Sequence, residues 1–470
     1  MSQEPRLPAQ EENKMGTMPV GRLLLNMAPP IIAAMLIQAL YNVVDSIYVS
    51  RISESAVTAL SLAFPIQNLQ IGFAVGTGVG VNSMLSKALG QGDRETADHT
   101  AGNGIVLSLL FTVMFMLFGA FGSRPYYTFQ SDVAETVENG TVYTAICCLG
   151  TLGIFVEILG ERLLQASGRT LYTMITQGLG AIINIVLDPI LIFGKFGLPA
   201  MGIAGAALAT VIGQWIAAGL CVYFNVRHNP DVHFAARYLR PSKAIILPVL
   251  AVGIPSIVMN SIGSLMNFGM NQILQSFPGE TATGVFGIYF KLQSFFFMPL
   301  YGLNNASISI LAYNYGAEKP HRITATLTRC CIVALIIMLI GVAAFQLAPD
   351  LLLDIFHPTP EFLRIGRSAL RIISIHFPMA AIGIVLSACF QALGNGMYST
   401  ITSICRQMVV LLPAAYLLSL TGEVSNVWWS FPIAEGVSLA ASLLFYGRIY
   451  RKKIRPLMEH SAPETESVCI

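Results

Sequence analysis

Two aspartates, Asp45 and Asp188, lie inside apolar stretches of this sequence, and each has an amide side chain close by. Asn42 comes three residues before Asp45, and Asn184 comes four residues before Asp188, so each amide shares a helical face with its carboxylate. Thr210 adds a hydroxyl at a similar expected depth in a later apolar stretch. Carboxylate, amide and hydroxyl oxygens suit a small hard cation such as Na⁺, and poorly solvated carboxylates can carry protons instead. The residue types leave these two alternatives open.

If the ion is Na⁺, its predicted ligands are Asp45, Asn184, Asp188 and Thr210. Simpler interpretations exist for both carboxylates. Asp188 precedes Pro189 and could merely end or kink a helix, and Asp45 could be a helix-end residue that reaches the membrane interface. The shared depth of the two aspartates favours a common functional site.

Other polar residues in apolar stretches are secondary candidates. Glu157 and Glu161 are one helical turn apart, and they are either a solvated ion cluster at the cytoplasmic face or groups that handle substrate or protons. Lys291 and Arg371 are expected to balance carboxylates or to extend to the interface, and Arg406 could pair with Glu435. We expect substrate or proton handling by Gln38, Tyr41, Asn42, Gln67, Gln70 and Glu161, and a second cavity wall formed by Tyr289, Gln293, Met298 and Arg406.

The composition places these residues in a membrane protein. Of 470 residues, 54% are hydrophobic and 11% are charged, whereas a soluble domain carries about 25% charged residues. The net charge of +2 is too small to suggest nucleic-acid binding. Seven of the eight cysteines lie in apolar runs, no Cys/His ligand spacing occurs, and no HExxH, GxSxG or Walker sequence is present. The sequence therefore predicts no enzyme, no cofactor and no ATPase domain, so any transport must be driven by an ion gradient.

Twelve apolar runs are long enough to cross a bilayer, which takes about 20 residues per helix. Lys and Arg concentrate in alternate loops, a bias that predicts both termini in the cytoplasm. Residues 1–19 are polar, so we expect no cleavable signal peptide. The predicted spans are 23–49, 56–86, 100–122, 140–166, 171–193, 201–226, 244–275, 283–313, 323–347, 365–391, 397–419 and 427–448.

An internal repeat with an offset of about 225 residues divides the chain into two halves. Gln67 and Gly76 correspond to Gln293 and Gly302, and "LLQASGRTLYTMIT" corresponds to "CFQALGNGMYSTIT". Each half has six spans, so the repeats are parallel, as in secondary transporters that rock two lobes about a central cavity. The predicted fold is all-α, with twelve transmembrane helices in two pseudo-symmetric lobes. The predicted parts are an N-terminal tail (1–19), an N-lobe (20–226), a linker (227–243), a C-lobe (244–450) and a C-terminal tail (451–470).

The chain resembles the multidrug and toxic compound extrusion (MATE) transporters over about residues 20–450, most closely the bacterial DinF-like and MepA-like branch. The resemblance rests on "PPIIAAMLIQALYNVVDSIYVSRIS", "SKALGQGDRETAD", "LLQASGRT" and "NIVLDPILI" followed by "GIAGAALAT". It implies export of organic, often cationic, compounds in exchange for Na⁺ or H⁺. The branch's ion site falls here on Asp45, Asn184, Asp188 and Thr210, and its inner acidic position on Glu161. A second branch uses acids on the seventh and tenth spans, which this sequence lacks there.

We therefore expect a monomeric multidrug antiporter of the bacterial inner membrane that contacts only lipid and small organic substrates. One alternative is a flippase for a lipid-linked oligosaccharide or a related precursor. Such a cavity needs basic residues for a pyrophosphate, and only Lys291, Arg371 and Arg406 are available. A membrane-embedded enzyme is the other alternative, and the Glu157/Glu161 pair has no accompanying His or metal-ligand motif.

Overall fold

The computed structural model describes residues 13–279, 281–356 and 359–461, and within these ranges the regular structure is helical throughout. Ten helices in this part of the chain are long and apolar enough to cross a membrane, and the number rises to twelve if each of two bent helix pairs is one span. The predicted all-α membrane fold is thereby confirmed. An α-helix satisfies its own backbone hydrogen bonds within one segment, so it is a stable element for a chain this apolar in lipid.

The long helices are numbered α1 to α12 in chain order, and the two bent pairs are α4 and α10. Their bounds are α1 Val20–Ser50, α2 Glu54–Gln91, α3 Arg94–Gln130, α4 Ala134–Leu149 with Leu152–Ala166, α5 Thr170–Phe193, α6 Ile203–His228, α7 Lys243–Leu274, α8 Thr281–Gly316, α9 Pro320–Leu347, α10 Pro360–Ser374 with Phe377–Ala392, α11 Gly396–Ser419 and α12 Ser430–Ile449.

The fourth and tenth predicted spans each correspond to a pair of helices with a bend between them. The two segments of α4 meet at 46° and those of α10 at 47°. The break in α10 precedes Pro378, which lacks an N–H and disfavours a helical residue before it. The break in α4 falls at Gly150, where a side chain would lie 2.5 Å from Val211 of α6. Hydropathy reports only the length of an apolar run and cannot show such bends.

The same helix pairs contact each other in both halves of the chain. In each half the first long helix packs on the fifth, the second on the third and fourth, and the sixth on the fourth and fifth. The halves meet through α1 and α2 on one side and α7 and α8 on the other, and α2 with α7 is the most extensive of these contacts. In this arrangement, α4, α5, α10 and α11 each turn one face toward a central space.

Glycines make this contact between the halves close. A Cβ on Gly76 would lie 2.4 Å from Ile257, and a Cβ on Gly302 would lie 2.7 Å from Ile32. The offset of the sequence repeat relates Gly76 to Gly302 and Ile32 to Ile257, so the two contacts are reciprocal. Gly80 adds a third, where a Cβ would meet the carbonyl oxygen of Val249 at 2.2 Å. The glycine run 76–80 therefore serves helix packing, as its position inside an apolar stretch predicts.

Residues 13–18 form a strap across the end of the molecule where α1 begins. Arg322 donates to the carbonyl oxygens of Met15 (2.9 Å) and Met18 (2.7 Å), and Lys319 donates to that of Gly16 (3.1 Å). On the other side Asn13 donates to the carbonyl oxygen of Ser167 at 3.1 Å. The strap therefore joins the start of α9 to the end of α4 and ties the two halves together at this end.

Substituting Arg322 with Gln is expected to release the strap. A hydrogen bond from a charged donor contributes about 1.5–3 kcal/mol, so losing two should raise the open population of the strap about tenfold or more. Trypsin cleavage after Lys14 in the detergent-solubilised protein measures this release. Arg364→Gln, on an exposed arginine of α10, is the matched control, and equal cleavage of the two variants would contradict the role of Arg322.

Candidate functional site

A cavity of about 770 Å³ lies between the two halves. Its wall is formed by α1, α2, α4, α5 and α6 from the N-terminal half and by α7, α8, α10, α11 and α12 from the C-terminal half. The wall is apolar over much of its area, with polar side chains on both sides. These include Gln38, Tyr41, Asp45, Gln67, Gln70, Glu157, Glu161, Arg162, Asn184, Thr210, Gln214, Asn260, Gln293, Asn304, His376, Gln391, Arg406 and Glu435.

The predicted group on α5 and α6 is assembled around Asn184. With its amide nitrogen facing Asp188, Asn184 donates to Asp188 Oδ2 at 3.1 Å and accepts from Thr210 Oγ1 at 3.2 Å and from the Thr210 backbone N–H at 3.0 Å. This orientation of the amide is the one that pairs donors with acceptors. Asn184 and Thr210 line the cavity, and Asp188 lies behind them, fully buried. Pro189 is inside α5, so Asp188 does not mark the end of a helix.

Asp45 completes this group from α1. It lines the cavity, is 9% exposed, and lies close enough to Asp188 for the two carboxylates to interact electrostatically. The structure therefore places it on the cavity wall, in the second-last turn of α1. Tyr41, one turn earlier on α1, is also within electrostatic range of both aspartates. The Asn42 backbone belongs to α1, but its side chain lies outside the described part of the structure.

Two carboxylate oxygens at this site, Asp45 Oδ1 and Asp188 Oδ1, have no hydrogen-bond partner among the described residues. A buried oxygen in this state costs free energy unless a proton or a cation occupies it. The surrounding oxygens of Asn184 and Thr210 are hard donors that suit Na⁺. The described residues hold no cluster of three or more His, Cys, Asp or Glu, so a transition-metal centre is not indicated in that part of the chain. The donor set fits either Na⁺ or H⁺.

Glu157 and Glu161 both line the cavity from the second segment of α4, and Glu161 is 6% exposed. Both glutamates therefore belong to the cavity wall, and their role in substrate or proton handling stays a prediction. Glu161 accepts a long hydrogen bond from Thr176 at 3.5 Å, and the neighbouring Arg162 donates to Gln165 at 2.9 Å. Because α4 bends at Gly150, its second segment turns this acidic face toward the centre of the molecule.

The predicted glutamines on the N-terminal side have defined partners. Gln38 accepts from Gln177 at 3.1 Å, Gln67 donates to the hydroxyl of Tyr143 at 3.0 Å, and Gln70 donates to Thr151. All three glutamines line the cavity. A cavity wall of bonded amides presents donors and acceptors without charge.

The predicted residues of the C-terminal half divide into two groups. Gln293 and Arg406 line the cavity. Tyr289 and Met298 do not belong to the described wall, which corrects the prediction for these two residues. The side chain of Tyr289 is 1% exposed, and its hydroxyl donates a hydrogen bond to Gln293. Helical periodicity explains the difference, because α8 turns only part of its aromatic surface toward the cavity. Lys291 and Arg371 are exposed on the outside of the bundle.

Arg406 and Glu435 form the pair that their types suggested. The guanidinium Nη1 lies 3.3 Å from Glu435 Oε1, and both residues line the cavity. Arg406 belongs to a π-helical segment of α11, Cys405–Leu411, an irregularity that is frequent at functional sites.

His376 is a wall residue that the sequence analysis missed. It occupies the break of α10, is 5% exposed, and its Nδ1 lies 2.5 Å from the carbonyl oxygen of Ile373. A single histidine in an apolar run gives no signal by spacing, and only the bend places it on the cavity.

The charges in the described wall are unequal. Asp45, Glu157, Glu161 and Glu435 face only Arg162 and Arg406, which leaves an excess of two negative charges when all six are ionised and His376 is neutral. Since Arg406 and Glu435 offset each other, the excess belongs to the N-terminal half of the wall. Such a cavity attracts organic cations.

Known proteins resemble this chain along nearly its whole length. The multidrug export protein MepA of Staphylococcus haemolyticus is 24% identical over 417 residues, with 88% of this chain and 91% of that protein covered. The FAD transporter of Shewanella oneidensis is 24% identical, with 89% and 92% covered. A MATE transporter solved with MaL6 superposes with a TM-score of 0.88 at 26% identity, covering 96% of this chain and all of that one. A MOP superfamily transporter from Pyrococcus furiosus gives 0.87 at 25%, with the same coverage.

The MatE family model matches residues 30–190 and again 255–417. Together the two matches span more than half of the chain. The chain therefore belongs to the MatE family and is a multi-pass membrane transporter, not an enzyme.

Proposed function

We propose that this protein is a secondary multidrug antiporter that exports organic, often cationic, compounds in exchange for H⁺ or Na⁺. The observation that carries the proposal is the group formed by Asp45, Asn184, Asp188 and Thr210. Two of its carboxylate oxygens have no partner among the described residues and adjoin an acidic cavity. The relatives named multidrug export proteins support the substrate class.

Two pseudo-symmetric lobes, 20–226 and 244–450, are part of the proposal, joined by a linker over 227–243. The double match of the family model at an offset of 225 residues, the recurring helix pairs and the reciprocal contacts of Gly76 and Gly302 support them. The distribution of Lys and Arg supports cytoplasmic tails at 1–19 and 451–470, hence a bacterial inner-membrane protein with both termini inside. We propose that it works as a monomer, because the cavity lies within one chain.

The positions at which the two halves contact each other indicate how alternating access would work. The two halves contact each other along α2, α7 and α8, near the C-terminal end of α2. The distribution of Lys and Arg indicates that this end of the molecule faces the cytoplasm. The cavity of this conformation therefore faces outward. Binding of H⁺ or Na⁺ at Asp45 and Asp188 removes negative charge from the wall and lowers the affinity for a cation, so the substrate leaves outward. The loaded ion then travels inward as the lobes reorient, and it dissociates down its gradient.

Efflux from proteoliposomes under separate gradients tests the proposal. We expect a fluorescent organic cation to move against its gradient when either a Na⁺ gradient or a pH gradient is imposed, and the effective gradient identifies the coupling ion. Flavin adenine dinucleotide belongs in the substrate panel because one relative is named for its transport. Vesicles without protein are the control.

A response to neither gradient would overturn the antiporter. Translocation of a lipid-linked pyrophosphate under those conditions would assign the protein as a flippase instead. The described cavity wall carries four carboxylates and two arginines, and this excess of negative charge argues against such a head group.

A further inference from the structure

The C-terminal side of the cavity presents a guanidinium where the N-terminal side presents carboxylates. Arg406 is more accessible than its partner: its side chain is 23% exposed and that of Glu435 is 5% exposed. Both residues line the cavity, and the guanidinium is the more accessible of the two groups.

The described hydrogen bonds of Arg406 leave part of its guanidinium for a ligand. Both of its bonds to Glu435, at 3.3 and 3.4 Å, start from Nη1. A guanidinium has five N–H donors in a planar fork that matches a carboxylate. The long Nη1 distances exceed those of a tight charged pair, so Glu435 orients and partly neutralises Arg406 without using its full capacity.

Two aromatic rings pack on His376, which lies within electrostatic range of Arg406. Phe431 packs against His376 with ring centroids 5.9 Å apart, Phe297 packs against His376 at 6.1 Å, and both phenylalanines line the cavity. The rings offer flat apolar surface to a planar molecule. An aromatic body would rest here with one end toward Arg406 and the other toward the acidic N-terminal side.

We propose that Arg406 is an anion subsite, and that this transporter takes aromatic zwitterions whose cationic end faces Asp45 and Glu157 while their carboxylate binds Arg406. This inference rests on the proposed export function and specifies its substrate class. Glu435 acts as an internal competitor for the guanidinium and sets how strongly a substrate carboxylate is bound.

A matched ligand pair tests the subsite by direct binding to the purified full-length protein. The probes are a cationic xanthene dye with a free benzoate, which is a zwitterion at neutral pH, and the methyl ester of the same dye, which is a cation. Fluorescence anisotropy gives both affinities, and the readout is the ratio of acid to ester affinity. In the wild type we expect the acid to bind more tightly than the ester.

Substitutions of the two partners should act in opposite directions. Arg406→Gln should lower the ratio about tenfold, as expected for one charge-assisted hydrogen bond. Glu435→Gln should raise it, because the guanidinium loses its competitor. If either single variant fails to fold, the double variant Arg406→Gln/Glu435→Gln leaves no buried charge unpaired and should also show the lowered ratio. Arg371→Gln, on the outside of α10, is the control and should leave the ratio unchanged.

Three results would overturn the subsite: the same direction of change in both single variants, a ratio unaffected by Arg406→Gln, or no binding of either dye to the wild type. Gradient-driven efflux of the ester from proteoliposomes separates this outcome from failure of the proposed function. Efflux of the ester with an unchanged ratio disproves the subsite alone. Binding with the expected ratios but no efflux disproves the antiporter alone.

Discussion

Replacing Asp188 by Asn is expected to reduce gradient-driven efflux to the level of vesicles without protein. Asparagine has nearly the same volume and can still accept the hydrogen bond that Asn184 donates to Asp188 Oδ2 at 3.1 Å. It cannot bind a proton and it carries no charge for Na⁺. The group formed with Asn184 and Thr210 should therefore persist while its ion chemistry is lost.

The measurement is substrate efflux from proteoliposomes under the gradient that drives the wild type, with thermal unfolding of the same samples as a check on folding. The loss should be complete because the remaining carboxylate, Asp45, has no described hydrogen-bond partner for its Oδ1. A single carboxylate cannot both bind the coupling ion and balance its charge while the lobes reorient.

Asp350→Asn is the matched control, because it makes the same chemical change outside the cavity. Asp350 pairs with Arg367 at 2.8 Å, and both side chains are more than 40% exposed. Such exposed pairs contribute little to stability, so efflux by this variant should match the wild type. Full efflux by Asp188→Asn would disprove the assignment of the coupling site.

The polar residues of the site were predictable because placing an ionisable side chain inside a membrane costs free energy. An ionisable group in an apolar stretch stands out in sequence, and Asp45, Asp188, Glu161 and Arg406 all line or adjoin the cavity. The spacing rule of one helical turn correctly related Asn184 to Asp188. The contribution of Thr210 followed only from its expected depth, yet it bonds Asn184 as required.

The residues that sequence reasoning left undecided, missed or misassigned depend on how helices bend and rotate. Glu157 and His376 reach the cavity because α4 and α10 are broken near them, and apolar length contains no information about bends. Tyr289 and Met298 were assigned to the wall because α8 is aromatic along much of its length. Which side of such a helix faces the cavity is decided by its neighbours, since hydrophobicity is uniform around it.

Substituting Gly90 with Ala is expected to open the inner end of the transporter. Gly90 of α2 and Gly316 of α8 correspond in the sequence repeat, and each fits against the backbone of the other helix. A Cβ on Gly90 would lie 2.0 Å from the carbonyl oxygen of Tyr313, and one on Gly316 would lie 2.1 Å from that of Lys87. Backbone cannot move aside as a side chain can, so the helices must separate.

Overpacking of this kind costs about 1–3 kcal/mol, and the cost falls only on the conformation in which α2 and α8 touch here. A penalty of about 2 kcal/mol should shift the equilibrium toward the inward-open state more than tenfold.

Spin labels introduced by Gln91→Cys and Glu318→Cys, both exposed at these helix ends, should report a longer distance in the Gly90→Ala protein than in the otherwise unchanged protein. Efflux should fall in parallel, because the outward-facing state that loads the ion becomes rare. Gly219→Ala in α6 is the control, since an added Cβ there meets no atom within 4 Å. An unchanged spin-label distance in Gly90→Ala would show that the contact between α2 and α8 does not close the inner end of the transporter.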